Sequence, residues 1–449
     1  MKKKVLSAIL SSAMIIALLS GCGSQATEEP ASKETVAEEA STEEPASTEE
    51  SEEAPVENSD GGFAKADGPI VYWSMWDAGS NSAIAIQEAV DAYSEASGNE
   101  VTVEWKGRDI QTLIGASIDA GETIDIYEDD FQRLSTTFAD YALDLDSMAE
   151  ASNYYDKSNA ALTDAVKGWA GSLKCVPYQG YASGIVYNKA IFEEVGVTEP
   201  ATWDEFLDVC AKIKEAGYNP LALDGAYTTV NLGYHMARYL GQDGVKDLVN
   251  KGEWAENPAV LKMAQDMENL VTSGYFSEFA PGAFPECENE IGYGETAMIV
   301  NASWIPDEVT NNTACDLEWG LFPYPAVEGG VDGTEGMMVG AQGMSINNKT
   351  KNAQAAFELI MFITTGEWDA AIATATNAIP ADPSNAEWPT IIKNFKPAFD
   401  QATKGYEWAC GIQDNADMTP IITELGDKLF GGKCTAQEFV DQLEAASNK

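Results

Sequence analysis

From Pro69 onward the chain alternates between two hydrophobic periods. The run Ile70-Val71-Tyr72-Trp73, entered from Gly68-Pro69 and closed by Trp76-Asp77-Ala78-Gly79, predicts a buried strand leading into a loop. Residues 83–97 then carry apolar side chains at helical spacing (Ile84, Ile86, Ala89, Val90, Tyr93) and stop at Gly98, a C-cap residue. Val101 to Trp105 predicts a second strand, 111–120 a helix ended by Gly121, and 123–127 a third strand. Strand and helix in strict alternation predict a parallel sheet with helices on its faces.

The same alternation returns downstream. It predicts a strand over 183–187, a helix over 190–195, and an amphipathic helix over 203–216 opened by Thr202 with Glu205 three residues on, a capping box. A strand follows at 220–223, helices at 230–240 and 258–273, a strand at 295–301, a return to alternation at Ser345 and a helix at 353–364. Ligands in open α/β sheets bind beyond the carboxyl ends of strands, so the loops after Tyr72, Tyr127, Leu223 and Asn301 are where function is sought.

Charge and composition narrow the classes. The 449 residues include 73 acidic and 26 basic side chains, a formal charge of −47, which argues against a nucleic-acid partner. A single histidine, His235, excludes a zinc site built on paired imidazoles, and its setting among Tyr234, Met236 and Tyr239 reads as packing. Six cysteines beyond Cys22 show no CxxC spacing, so neither a zinc ribbon nor a thioredoxin-like motif is present; export permits disulfides, isolated buried thiols fit as well, and no pairing is assigned. Lys2, Lys3 and Lys4 precede an apolar run from Val5 to Leu19, the layout of an export signal. Its end, Leu19-Ser20-Gly21-Cys22, resembles the lipobox of bacterial lipoproteins, which implies a leader over 1–21 and a lipid on Cys22. Residues 22–62 are rich in Glu, Ser, Thr, Ala and Pro and lack aromatics, so a disordered acidic linker is expected.

Four ordered blocks carry a wider resemblance. Val176-Pro177-Tyr178 through Val186-Tyr187-Asn188-Lys189 is followed by Pro200 and Thr202-Trp203-Asp204-Glu205-Phe206; Gly294-Glu295-Thr296-Ala297-Met298 precedes Ser303-Trp304; then come Gly320, Phe322-Pro323, Pro325, and Gly340 to Ile346. This series resembles the extracellular sugar-binding proteins of ABC transporters. The resemblance implies an α/β, two-lobed periplasmic-binding-protein-like fold of type II, each lobe a parallel-type sandwich, with hinge-connected lobes and the ligand in the cleft between them. It places lobe 1 at 68–181 plus 324–377 and lobe 2 at 182–323 plus 378–449, with crossings near Gly180–Ser183, Gly320–Pro325 and Asn377–Pro380.

Sugar recognition needs flat apolar surfaces for C–H faces and polar side chains for hydroxyls. Trp76 and Asp77 leave the first strand toward the cleft. Asp129 and Asp130 follow Tyr127 at a strand's carboxyl end, with Asp129 the leading candidate. Trp304 occupies the position where the resemblance implies stacking on sugar, and Tyr181 lies on the first crossing. Asp224 and Tyr227 follow the strand at 220–223, Gln342 sits in what reads as a glycine-rich turn over 340–343, and Trp408 follows Gly405. Trp169, Trp203, Trp254 and Trp319 read as structural.

The expected function is that of a lipid-anchored solute-binding protein on the extracellular face of the bacterial membrane. It would capture a carbohydrate, with an oligosaccharide as the expected form, and deliver it to ABC permease subunits as a monomer. No catalytic residue, cofactor or metal is implied. The alternatives are an exported glycoside hydrolase, since carboxylates beside aromatics also describe such a site, and a binder of polyamines or another solute, in which acids would pair with amines.

Overall fold

A computed structural model of the protein describes residues 62–448. The leader expected over 1–21, the anchor at Cys22 and nearly all of the linker expected over 22–62 lie outside the described residues. Strands β1 (Ile70–Ser74), β2 (Val101–Trp105) and β3 (Ile126–Asp130) pair in parallel in the order β2-β1-β3. The helices Asn81–Ser97 and Ile110–Ala120 connect them. Ser80 accepts the Ala83 N–H at the start of the first helix, and Gly98 closes it at φ 68°, a left-handed conformation that glycine adopts without strain.

The remaining strands are β4 (Val176–Asn188), β5 (Asn219–Ala222), β6 (Thr296–Ala302), β7 (Trp319–Phe322), β8 (Gly336–Ile346) and β9 (Lys404–Tyr406). Both sheets are mixed rather than purely parallel. β8 runs antiparallel to β3 and to the first half of β4, whereas the second half of β4 is flanked by β6 and β7, both antiparallel to it. The 13-residue β4 is therefore shared. Val176 and Tyr178 pack in a first core with Ile70, Tyr93 and Phe357, while Ile185 and Tyr187 pack in a second core with Phe206, Met263 and Phe439. A smaller cluster covers the other face of the second sheet, because Val186 and Ile299 alternate with Ile185, Met298 and Val300 along their strands.

The resulting molecule is two-lobed, and the chain passes between cores at places the sequence reading located unevenly. β4 carries the passage near Gly180–Ser183. The return lies later than Gly320–Pro325: Tyr324, Val327 and Met338 still pack in the second core, and β8 enters the first from Val339 and Ala341 onward. A buried cation explains the delay. Arg238, fully buried, donates to the carbonyls of Tyr324 (2.7 Å), Pro325 (3.2 Å) and Gly336 (2.8 Å), tying this segment to the helix Thr228–Lys251 of the second lobe. The stretch 377–380 lies on the junction, where Gly180 and Ile379 exchange two backbone hydrogen bonds of 2.8 Å.

Two local readings also change. The third strand begins at Ile126 rather than 123 and takes in Glu128, Asp129 and Asp130, which therefore alternate across a sheet instead of following it in a loop. Gly340 to Gly343 is strand interior, not a turn, because a side chain at Gly340 would run into the Tyr181 ring on β4. The six cysteines of the described residues are free thiols. No helix among the described residues is long and apolar enough to cross a membrane.

Candidate functional site

A cavity of about 800 Å³ opens where β4 and β8 pass between the lobes, and its walls come from both cores. On the first lobe's wall stands Trp76, just beyond β1. Its indole N–H donates to the Tyr178 hydroxyl at 2.8 Å. Tyr178 donates in turn to Glu128, which also accepts from Tyr72 (2.6 Å) and Ser74 (2.7 Å) and is fully buried. Burial raises the pKa of Glu128 above the usual carboxyl range, an effect opposed by these three hydroxyl donors. Trp76 also neighbours the exposed Arg108, whose guanidinium carbon lies 5.3 Å from the ring centroid.

Strand alternation decides which of the three acids on β3 reaches the cavity. Asp130 lines it, while capping the short helix Phe131–Ser135 by accepting the N–H groups of Gln132 (3.0 Å) and Arg133 (3.1 Å). Asp129 points elsewhere; its side chain has no exposure and pairs with Arg133 Nε at 2.8 Å. Opposite Asp130 in the β3–β8 register is Gln342, whose buried Oε1 has no hydrogen-bond partner in the protein. An acceptor left free in a cavity wall is a ready contact for a ligand hydroxyl.

The facing wall is aromatic. Tyr181 on β4, Tyr227 after β5, Trp304 after β6 and Trp408 after β9 are all half-buried and line the cavity. Trp304 contacts Tyr181 (5.4 Å between ring centroids), Trp408 (5.6 Å) and Tyr227 (6.3 Å), so the four rings form one continuous patch. Asp307 and Glu308, in the first turn of the helix Ile305–Thr313, edge this patch. Burial, then the neighbouring Asp307 and Asp224, push the Glu308 pKa up to about 7. Behind Tyr227, burial and the carboxyls of Glu308 and Asp224 push Glu288 up to about 8.

Seven of the ten residues singled out from the sequence come together on this cavity: Trp76, Asp130, Tyr181, Tyr227, Trp304, Gln342 and Trp408. Three do not line it. Asp129 is committed to Arg133; Asp224 is buried, where one carboxylate oxygen accepts the Ala226 N–H at 2.8 Å and the other has no partner; Asp77 lies outside the lining, beside Gly107. Sequence reasoning missed Arg108, Gln132, Arg133, Gln179, Glu308 and Asn377, all of them cavity-lining. Gln179, beside Gly180, and Asn377, the C-cap of the helix Gly366–Thr376, carried a weak signal as polar residues at expected crossings; the others sit in helix starts with no distinguishing pattern. Of the tryptophans read as structural, Trp203, Trp254 and Trp319 are buried, and Trp169 is half-buried outside the cavity.

The sequence profile of the bacterial extracellular solute-binding proteins matches residues 79–403. The chain is similar to a multiple sugar-binding protein of Streptococcus mutans, with 25% identity over 241 residues that cover 50% of this chain and 56% of the relative. The match thus spans little more than half the length of that curated relative. Among solved structures, the apo form of RafE from Streptococcus pneumoniae superposes with a TM-score of 0.69 at 19% identity, covering 85% of this chain and 97% of that one. A probable secreted solute-binding lipoprotein from Streptomyces coelicolor gives 0.69 at 17% identity, covering 85% and 98%.

Proposed function

This chain belongs to the bacterial extracellular solute-binding protein family, and from that premise we propose that it binds a carbohydrate, of oligosaccharide size, between its lobes and hands it to an ABC permease. The observation that carries the reading is the patch of four rings facing polar side chains across a cavity of about 800 Å³. Aromatic faces match the C–H faces of pyranose rings, and Gln342, Gln179, Gln132 and Asn377 offer amide donors and acceptors for hydroxyls. The multiple sugar-binding relative supports the same chemistry. Binding without turnover is part of the proposal, as is anchorage of the mature chain outside the cell through a lipid on Cys22.

Calorimetric titration and a thermal-shift screen against mono- and oligosaccharides, with spermidine as the amine control, test this directly. A bound sugar in excess raises the melting temperature by mass action and is recovered intact by chromatography. A screen in which spermidine alone raises it, or in which a sugar is cleaved, would overturn the reading. For the anchor, a Cys22→Ser variant should leave the membrane fraction and lose incorporation of labelled palmitate.

A further inference from the structure

The chain has only three arginines among its 26 basic residues, Arg108, Arg133 and Arg238. Arg238 is buried in the second core, and the other two both line the first lobe's wall of the cleft, where no lysine contributes among the described residues. An arginine presents a planar fork of donors that matches a carboxylate in bidentate fashion, which the point charge of a lysine does not. In a chain of formal charge −47, cationic residues confined to one wall of the cavity are the places where an anionic group is locally favoured.

Four acids also line the cavity; three are engaged by protein groups and the fourth carries reduced charge. Asp130 caps a helix, Asp307 accepts from Asn377 Nδ2 at 2.7 Å, and Asp414 pairs with Lys246 at 2.8 Å. Glu308 retains its proton to about pH 7 through burial and neighbouring acids, which removes much of its charge. Arg133 gives its Nε to Asp129, with its two terminal nitrogens uncommitted to any carboxylate among the described residues. Arg108 is exposed, makes no ion pair among the described residues, and lies over the Trp76 ring.

We propose that the cleft is built for an acidic oligosaccharide: a uronic acid whose carboxylate is held by Arg108, with Arg133 as a second donor, while its neighbouring rings stack on the aromatic wall. This deepens the carbohydrate reading and rests on it. The test titrates the full mature chain with paired oligosaccharides of gluco, galacto, manno and xylo configuration, each as the uronic acid, its methyl ester and the neutral sugar. At least one acid should bind about tenfold or more tighter than its ester and neutral partners, and that margin should shrink as salt rises. Arg108→Gln, a change at an exposed side chain that leaves the cores untouched, should bring the acid-to-neutral ratio close to one. Neutral sugars binding as tightly as their acids would overturn this inference and leave the carbohydrate reading standing. No sugar binding in either form would overturn both.

Discussion

Trp304, expected in the site from the resemblance, lines the cavity, whereas Asp77, expected there as a residue leaving the first strand, does not. Trp304 touches three other rings in the cavity wall, so Trp304→Ala removes the centre of the patch and should lower sugar affinity about 30-fold or more, ~2 kcal/mol, by calorimetry. Asp77→Ala, outside the lining, should leave affinity within about twofold, the scale of surface substitutions away from a site. Glu288 supplies a second, pH-dependent outcome. Its carboxyl keeps a proton in the folded protein up to about pH 8, against an ordinary value of 4.5, because it is buried beside Glu308 and Asp224. The folded state then binds more protons than the unfolded chain, so this contribution to stability is fully present at acid pH and is lost as pH rises through about 8. The melting temperature of the parent should fall relative to that of Glu288→Gln between pH 5 and 9. A constant difference between the two across that range would show that Glu288 is ionised throughout.

Side chains reach the cavity because strands and helices hold them at fixed offsets. Trp408 is presented by the segment that packs on the helix Thr228–Lys251, where Gly233 lies against the backbone of Ala409. A Cβ at Gly233 would run into the Ala409 carbonyl oxygen, and because both sides of that contact are backbone there is no flexible side chain to yield. Gly233→Ala should therefore cost about 1–3 kcal/mol of stability and also weaken sugar binding by displacing Trp408, read by thermal melting and titration together. The same close approaches mark where the sequence was legible. β1, β2 and the capped helices Asn81–Ser97 and Trp203–Glu215 follow from hydrophobic period and cap chemistry, which are local properties. Of β4 only 183–187 follows from alternation; its first half and most of β8 do not, because Pro177, Gly180, Gly340 and Gly343 punctuate them as turns would. The glycines of both strands meet a non-local need: Gly184 faces the Phe322 carbonyl on β7, and Gly340 faces the Tyr181 ring. The shift of β3 had a direct consequence for the site, moving the cavity-facing acid from Asp129 to Asp130. Arg108 lies just beyond β2, a strand exit not among the four loops in which function was sought, and Glu308 sits in the first turn of a helix with no local pattern to mark it; the place of both depends on how the lobes face one another.

The two cores are joined by β4, β8 and the segment following the helix Gly366–Thr376, which is the connectivity that lets lobes rotate about a short junction. One side chain bridges the cleft away from that junction. Glu407 follows β9 on the second lobe's side, where Lys246 donates to its two oxygens at 2.8 and 3.0 Å. From the first lobe, Trp169 Nε1 donates to it at 3.0 Å and Gln132 Nε2 at 3.3 Å. Trp169 is thus more than packing: it stands edge-on to Phe131 in the first lobe, with centroids 5.0 Å apart, and reaches across to the residue that precedes Trp408. A bridge between the lobes favours this spacing over any more open one, and a ligand that touches both walls binds in proportion to the population in which they are this near. Trp169→Phe keeps the ring against Phe131 and deletes only the donor. It should leave the melting temperature nearly unchanged, increase the radius of gyration of the ligand-free protein in small-angle scattering, and weaken sugar binding by a few-fold, mainly through faster release. Glu407→Gln should act in the same direction and more strongly, since it also lowers the charge that holds Lys246. If both variants scatter as the parent does without ligand, lobe spacing is set by the junction alone and the Glu407 bridge merely follows it.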